Sequence, residues 1–366
     1  MFIDSIHDVP HVEDKIFDAI KLSTAPVVLF GAGELSWYIL QYLRCHGVEP
    51  VGVCDNNSAK QGKLHLGLPV YRYDDLKEKL GVEYNIVLSV GPQYKTAICS
   101  QLADAKENNP IWYLRGYEVC GEKINYQYIR EHEAEFENAY LSFVDDHSKR
   151  VFINVLNAKI SGDFILYEEI MSQLEYFDES VVKLTDTEVL LDVGAYKGDD
   201  IVEFTKQTNG KYCFIIAFEP DKKTMSILQN TIAQNSIQKV EVHNIGAWNK
   251  QTALRFNDGR EGSSRVSESV DEVFPTTTIE VDTIDNILYG RRVTYISMDI
   301  EGAEHNALLG AEQTIKKWKP KMAVCVYHKR EDLFDILLLL KSFVPEYKFY
   351  LRHYSDNQTE TVLYAV

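Results

Sequence analysis

Short apolar runs alternate with helix-like segments through the C-terminal half of the chain, an arrangement typical of a doubly wound α/β sheet. Most runs are almost continuously apolar, as expected of parallel strands that helices cover on both faces. The last two runs are separated only by the polar segment SDNQT, which predicts an antiparallel hairpin. The predicted strands are 189–193, 214–218, 240–245, 293–299, 322–327, 347–352 and 361–366.

The segment EVLLDVGAYKGDD, residues 188–200, predicts a buried strand, a glycine turn and the start of a helix. One acid, Asp192, lies near the end of the apolar run, and Gly194 and Gly198 follow it. Residues without a Cβ let a ligand or a helix come close to the backbone. The two acids after the turn favour the positive end of a helix dipole. This stretch is therefore the first candidate for a binding site.

The next predicted strand ends at Glu219, about 20 residues after Gly198, the spacing at which an acid accepts hydrogen bonds from ribose hydroxyls. The turn before it, Gly-Ala-Tyr-Lys-Gly, lacks one glycine of the dinucleotide-binding pattern. That difference argues against a pyrophosphate resting on bare backbone amides. A nucleoside without phosphates fits better, and S-adenosylmethionine is the commonest such cofactor.

Five segments of the C-terminal half carry a more specific resemblance. In chain order they are LLDVGAYKGD, FEPD, YISMDIEGAEHNALLGA, KPKMAVCVYHKREDL and YLRHYSDNQTETVLYA. From about residue 176 to the end, the chain resembles the FkbM-type family of S-adenosylmethionine-dependent methyltransferases. The resemblance implies a class I methyltransferase fold, a Rossmann-like sheet of seven strands with the last strand antiparallel. It also implies S-adenosyl-L-methionine as the cofactor.

Ligands of open α/β sheets bind beyond the carboxyl ends of the strands, so the cofactor site is expected there. Asp192 and the glycine turn are expected to receive the methionine part, and Glu219 the ribose. Residues 246–248 occupy the place where such enzymes hold adenine, although core packing is the alternative for Trp248. The predicted cofactor-binding residues are Asp192, Gly194, Ala195, Tyr196, Gly198, Glu219, Pro220, Gly246, Ala247 and Trp248.

Asp299, Glu301 and His328 follow two further strands and are the predicted catalytic residues. Methyl transfer from a sulfonium is an in-line displacement, in which alignment can supply ~7–11 kcal/mol and a general base roughly 3–5 kcal/mol. His328 is a candidate base for a hydroxyl acceptor. Asp299 would orient it, hold the cofactor, or bind a divalent ion with Glu301. We predict no metal site, because no third oxygen ligand is evident from the sequence.

Residues 22–118 show a second α/β pattern, with Gly31 and Gly33 after a strand and Asp55 at the end of the next. Ser36 stands in place of the third glycine of the nucleotide fingerprint. The segment DNNSAKQGKLHLGLPVY makes this part resemble the Rossmann-like N-terminal modules of bacterial sugar acyltransferases and other sugar-modifying enzymes. The resemblance implies either a nucleotide-linked sugar as ligand or a docking role.

The predicted domains are an N-terminal Rossmann-like domain (1–118), a helical connector (119–180) and a methyltransferase domain (181–366). Between the third and fourth C-terminal strands, the polar segment NDGREGSSRVSESVDE, residues 257–272, is predicted to be a mobile flap or a disordered loop.

Composition narrows the classes of partner. A net charge of −17 argues against nucleic-acid binding, which depends on Lys and Arg neutralising phosphates. No apolar run approaches the ~18 residues of a membrane span, and the N-terminus has no secretory pattern. Six cysteines without a Cys-x-x-Cys pair favour reduced thiols in the cytoplasm.

We therefore predict a cytoplasmic methyltransferase that O-methylates a sugar or glycan hydroxyl in bacterial polysaccharide or secondary-metabolite tailoring, with a small-molecule or nucleotide-linked acceptor. One alternative is a nicotinamide-dependent oxidoreductase that acts on a nucleotide sugar through Gly31, Gly33 and Asp55. The other is a non-catalytic Rossmann-like scaffold, which the polar groups at the strand ends disfavour.

Overall fold

The computed structural model describes residues 2–33, 35–115, 123–257 and 276–366. The chain divides into two compact units. We call Asp8–Asn125 with Lys159–Asp163 the N-terminal unit, and Met1–His7, Tyr126–Ala158 and Phe164–Val366 the C-terminal unit. Apart from its first residue, the predicted flap at 257–272 lies outside the described residues, as does the predicted boundary at 118.

The N-terminal unit contains a mixed sheet flanked by helices, with the strand order β3-β4-β2-β1-β5-β6. All pairs are parallel except the short hairpin of β3 and β4. A 3₁₀ turn spans Tyr73–Asp75. The elements are α1 (Asp14–Ser23), β1 (Val27–Phe30), α2 (Leu35–Cys45), β2 (Gly52–Cys54), β3 (Leu64–His65), β4 (Leu68–Tyr71), α3 (Leu76–Leu80), β5 (Asn85–Leu88), α4 (Pro92–Asp104) and β6 (Ile111–Tyr113).

The C-terminal unit is built on a seven-stranded sheet, counted over the described residues, and its loops carry most of the chemistry. A 3₁₀ turn at Ile3–Ser5 belongs to it. Its first helices are α5 (Tyr126–Glu131), α6 (Glu133–Ser142), α7 (Asp146–Ser161, whose last three residues are assigned to the N-terminal unit) and α8 (Ile165–Glu168). The later elements are β7 (Val189–Val193), α9 (Asp199–Gln207), β8 (Phe214–Phe218), α10 (Lys222–Gln234), β9 (Val240–His243), β10 (Gly246–Ala247), β11 (Thr252–Asn257), β12 (Thr276–Asp282), α11 (Ile284–Leu288), β13 (Tyr295–Met298), α12 (Glu304–Leu309), α13 (Glu312–Trp318), β14 (Lys321–Cys325), α14 (Asp332–Phe343), β15 (Phe349–His353) and β16 (Thr361–Ala365).

The order of the large sheet is β15-β16-β14-β13-β7-β8-β9. Every strand is parallel except β16, which runs antiparallel to both of its neighbours, so the predicted α/β class and the predicted hairpin are confirmed. The chain leaves β7 towards β8 on one side and returns to β13 on the other. The switch in strand order therefore falls beside the segment that the sequence singled out.

Part of the long connection between β9 and β13 forms a small sheet of its own, in the order β10-β12-β11. β11 and β12 pair antiparallel, with Thr252 opposite Val281 and Leu254 opposite Ile279. The described ends of this connection are therefore strands.

The helical segment before β7 packs by aromatic side chains within the C-terminal unit. Phe136 and Phe152 are fully buried, and the ring of Phe136 lies 4.8 Å from that of Phe334 on α14. Phe2 joins the same cluster. These aromatic residues therefore belong to one hydrophobic cluster. The domain limits at 118 and 180 remain a prediction from the sequence.

The cysteines only partly match the expectation of reduced thiols. Cys54, Cys99, Cys213 and Cys325 are free. Cys45, by contrast, is disulfide-bonded, which spacing in the sequence could not reveal. Among the described residues, no helix combines the length and apolar character needed to cross a bilayer.

Candidate functional site

A cavity of about 760 Å³ opens at the carboxyl ends of β7, β8 and β13 in the C-terminal unit. Most of the predicted site residues lie in its wall. Those that line it are Gly194, Ala195, Tyr196, Glu219, Pro220, Gly246, Ala247, Asp299 and Glu301. Asp192, Gly198, Trp248 and His328 are outside the described lining.

The two predicted glycines create this crevice in different ways. Gly194 has a φ of +90°, and a Cβ there would overlap the carbonyl oxygen of Asp299, so only glycine lets the ends of β7 and β13 meet this closely. Gly198 precedes α9, and a Cβ there would lie 2.8 Å from Leu228 Cδ1 on α10. Gly194 therefore shapes the cavity floor, whereas Gly198 lets two helices pack.

Glu219 is held rigidly at the end of β8. It is 6% exposed, and its Oε2 and Oε1 accept hydrogen bonds from the backbone N–H groups of Tyr196 (3.0 Å) and Asp221 (2.8 Å). Asn244 Nδ2 donates to the carbonyl oxygens of Glu219 and Pro220, at 2.9 Å each. Burial raises the pKa of Glu219 to about 7, although the two backbone donors oppose that change. Its carboxylate is thus fixed in direction and retains lone pairs for hydroxyl donors.

An apolar slot adjoins Glu219. Pro220, Gly246, Ile279 and Val281 all line the cavity here. A Cβ at Gly246 would lie 3.0 Å from Val281 Cγ1 and 3.5 Å from Ile279 Cδ1, so a side chain at this position would reduce the space. Trp248 packs on the Ile279–Val281 cluster, and its backbone N–H donates to Asp282 at 2.9 Å. Trp248 thus contacts apolar residues that also line the cavity.

Asp192, in β7, directly precedes Val193 and Gly194 of the cavity lining and is 2% exposed. Its Oδ1 accepts a hydrogen bond from the Ser297 hydroxyl at 2.9 Å, but its buried Oδ2 has no hydrogen-bond partner among the residues described. Burial raises the pKa of Asp192 to about 7, with Asp299 adding to the effect. The pKa of Asp200 in the cavity wall is raised to about 8 by burial and then by the charges of Asp192 and Asp299. This end of the cavity is suited to a cationic group.

Asp299 is oriented by two tyrosines. Its Oδ2 accepts hydrogen bonds from the hydroxyl groups of Tyr176 (3.2 Å) and Tyr327 (3.1 Å). The backbone of Glu301, two residues later, has a φ of +56°, a left-handed conformation that is uncommon outside glycine and is concentrated at functional sites. The loop after β13 thus presents two carboxylates to the cavity.

His328 lies among carboxylates. Its Nε2 is 3.3 Å from Asp299 Oδ1 and 3.7 Å from Glu301 Oε2, and its Nδ1 is 3.0 Å from Glu304 Oε1. Burial alone would lower the pKa of His328, but the negative charges of Glu304, Asp299 and Glu301 raise it to about 10. These contacts satisfy distance but not hydrogen-bond alignment, so the attraction is mainly Coulombic.

Further acids of this region are not among the predicted catalytic and cofactor-binding residues. Glu304 is fully buried beside His328, and Glu175 and Glu360 line the cavity from segments far from the motifs. Burial, together with the charges of Glu360, Asp200 and Asp299, raises the pKa of Glu175 to about 9. Glu304 could have been suspected from the sequence, because it follows Glu301 by three residues. No local sequence pattern indicated that Glu175 or Glu360 would line the cavity.

Comparisons with known proteins agree with this geometry. Residues 192–350 match the family model described as the methyltransferase FkbM domain. The crystal structure of methyltransferase FkbM from Methylobacillus flagellatus KT is 22% identical, covers 99% of this chain and 95% of its own, and gives a TM-score of 0.72. This likeness shows the fold.

Two further matches are partial. Fibrillarin from Aeropyrum pernix, in complex with natively bound S-adenosyl-L-methionine, is 11% identical, with 52% of this chain and 72% of that chain covered and a TM-score of 0.33. A probable molybdopterin-synthase adenylyltransferase of Gracilaria tenuistipitata var. liui is 27% identical over 99 residues. The match covers 27% of this chain and only 27% of that relative's length.

The strand order, the cavity at the switch point and the family match together define a methyltransferase. More particularly, residues 192–350 of the chain match the methyltransferase FkbM domain.

Proposed function

We propose that this enzyme transfers the methyl group of S-adenosylmethionine to a hydroxyl group of a sugar or glycan. The main observation in favour of this cofactor is the position of the Glu219 carboxylate. Two backbone N–H groups hold it beside the apolar slot, which is formed by Pro220, Gly246, Ile279 and Val281. An adenosine needs a double acceptor for its ribose next to a flat apolar space for its base. Both features are adjacent here.

The methionine end of the cofactor fits the acidic floor of the cavity. Asp192 has a buried oxygen without a hydrogen-bond partner in the described part of the chain, and an ammonium group or a water bound to it would satisfy that atom. Asp200 lies in the cavity wall and adds negative charge. When bound, the cofactor supplies an activated methyl group.

The acceptor site is proposed at Asp299, Glu301 and His328. Carboxylates accept hydrogen bonds from hydroxyl groups, so Asp299 and Glu301 suit a polyhydroxylated acceptor such as a sugar. In the reaction the acceptor oxygen bonds to the methyl carbon as the carbon–sulfur bond breaks, and the hydroxyl proton passes to a carboxylate of this group. The sugar is supported independently by the resemblance of the N-terminal unit to modules of sugar-modifying enzymes.

In the N-terminal unit, Asp55 is engaged by its own chain. Its Oδ2 accepts from the backbone N–H of Ala32 and its Oδ1 from that of Asn57, both at 2.7 Å. The Nζ of Lys60 is 3.5 Å from Oδ2. The two backbone contacts hold Asp55 in the same way as those that hold Glu219. A docking role is favoured over the oxidoreductase alternative because the Lys60 ammonium lies beside Oδ2 and because Ser36 replaces the third glycine of the nucleotide fingerprint.

A mass-spectrometric screen tests the proposal. The protein is incubated with S-adenosylmethionine and with free sugars, oligosaccharides, nucleotide sugars and matched amines. We expect a methyl-mass gain on a hydroxyl-bearing carbohydrate. The variant His328→Ala should slow this turnover with nearly unchanged cofactor affinity. A gain confined to amines, or no loss of rate in the variant, would contradict the proposed acceptor site.

A further inference from the structure

Asp299, Glu304 and His328 form a compact group of potential ligand atoms. One donor atom from each lies within 4.8 Å of the others. Glu301 adds a second carboxylate at the cavity side. The group combines residues after β13, at the start of α12 and after β14, so it exists only in the folded sheet.

The unused oxygen of Asp299 points at the imidazole. Because the hydroxyl groups of Tyr176 and Tyr327 both donate to Oδ2, Oδ1 is left buried and without an aligned donor in the described ranges. It faces His328 Nε2 at 3.3 Å. Two tyrosines thus fix a carboxylate whose remaining oxygen has no conventional hydrogen bond.

The imidazole is equally unusual. The side chain of His328 is 9% exposed, and neither ring nitrogen makes an aligned hydrogen bond to any residue that the structure describes. Its Nε2 lies 3.3 Å from Asp299 Oδ1 and 3.7 Å from Glu301 Oε2. Two ligand atoms bonded to one ion at about 2.1 Å are separated by about 3.0 Å at a right angle and about 3.4 Å at the tetrahedral angle. The observed spacing is close to that of ligands around a shared cation.

The opposite ring nitrogen lies within hydrogen-bond distance of a carboxylate, the kind of partner that metal-binding histidines usually have. Nδ1 lies 3.0 Å from Oε1 of the fully buried Glu304, and that oxygen accepts a hydrogen bond from the backbone N–H of Ile300 at 2.9 Å. A carboxylate in this position fixes the ring and directs the Nε2 lone pair towards the ion.

We propose that Asp299 Oδ1, Glu301 Oε2 and His328 Nε2 bind one divalent cation in the cavity, with Glu304 positioning the imidazole. A nitrogen ligand with two carboxylates favours Mn²⁺ or Zn²⁺ over Mg²⁺ and Ca²⁺, which prefer oxygen ligands throughout. The Nε2 proton leaves to solvent on binding, and the carboxylates that attract this proton attract a divalent ion more strongly.

The charge of the cavity wall also favours a cation. The basic side chains in this wall are Lys197 and Lys223. The acidic side chains are more numerous and include Glu175, Asp200 and Glu360. Building on the proposed methyl transfer, a cation at Asp299 would polarise the acceptor hydroxyl and make it easier to deprotonate. The cation site itself is testable without turnover.

The test is a titration of the full chain with Mn²⁺, followed by the loss of the electron paramagnetic resonance signal of free Mn²⁺, with Zn²⁺ competition. We expect one site, weakened at least about tenfold in Asp299→Asn and in Glu301→Gln. Glu304→Gln should weaken it by about 10- to 100-fold. Glu360→Gln is the matched control, because it removes one charge from the same cavity without touching a ligand.

Circular dichroism and thermal melting establish that each variant is folded. Absence of Mn²⁺ and Zn²⁺ binding by the folded wild type would overturn the proposal. Equal weakening in Glu360→Gln would also overturn it, because it would indicate diffuse attraction to acids. S-adenosylmethionine binding, measured separately by calorimetry, shows whether the proposed cofactor site fails independently.

Discussion

Replacing Glu219 by glutamine tests the central contact of the proposed cofactor site. The side chain is 6% exposed, and both of its oxygens already accept backbone hydrogen bonds, from Tyr196 and Asp221. Glutamine keeps the volume but replaces one oxygen with an NH₂ group. That group faces a backbone N–H donor and cannot accept from a ribose hydroxyl.

The magnitude follows from these contacts. A hydrogen bond to a charged group contributes about 1.5–3 kcal/mol. Losing one such bond to the ribose therefore weakens cofactor binding by about 10- to 150-fold, since each 1.4 kcal/mol is a factor of ten. In the variant, the new NH₂ group also faces the backbone N–H of Tyr196 or Asp221, and this repulsion between two donors weakens binding further. We therefore expect a loss of affinity in the upper part of that range.

Isothermal titration calorimetry with S-adenosylmethionine provides the measurement, and thermal melting without ligand establishes folding. Glu241→Gln is the matched control. Glu241 lies on the neighbouring strand β9, pairs with Arg291 at the surface and is outside the described cavity lining. Its replacement should leave the affinity within about twofold, since surface ion pairs contribute little. A folded Glu219→Gln protein that binds the cofactor as tightly as the wild type would refute the reasoning.

Two further predictions concern the same cavity. Because burial raises the pKa of Glu219 to about 7, its carboxylate is largely ionised at pH 8 and largely protonated at pH 6, so cofactor affinity should fall by up to about tenfold over this range. The Glu219→Gln variant lacks this titration, so the same calorimetric measurements on it show how much of the pH dependence comes from other groups, such as the ammonium of the cofactor. If the affinities of wild type and variant changed with pH in parallel, the assignment to Glu219 would be contradicted. Gly194→Ala should lower the free energy of unfolding by more than about 2 kcal/mol in urea denaturation, since a left-handed residue costs about 1–2 kcal/mol and the new Cβ overlaps the carbonyl of Asp299. Gly210→Ala is the control, because Gly210 also has a positive φ, of +69°, but has open space around its Cβ position. An equal decrease in the free energy of unfolding in the two variants would show that the overlap with Asp299 does not matter.

The main strands of the large sheet and the residues at their ends could be predicted from local sequence patterns. Continuous apolar runs are local properties, and the turn between Gly194 and Gly198 follows from backbone freedom at those positions. Glu219 could be found by its distance along the chain from Gly198, because a strand-helix-strand unit has a nearly fixed length. Most of the predicted cofactor residues line the cavity for this reason.

Contacts between side chains from distant segments became visible only in the folded chain. Glu175 and Glu360 enter the cavity from segments with no local signal, and Glu304 contacts His328 because β13 and β14 are neighbours in the sheet. Trp248 lies against Ile279 because the connection after β9 folds into a small sheet of its own. Such contacts depend on strand order and on the paths of long connections, and these are set by the packing of distant residues rather than by the spacing of near ones.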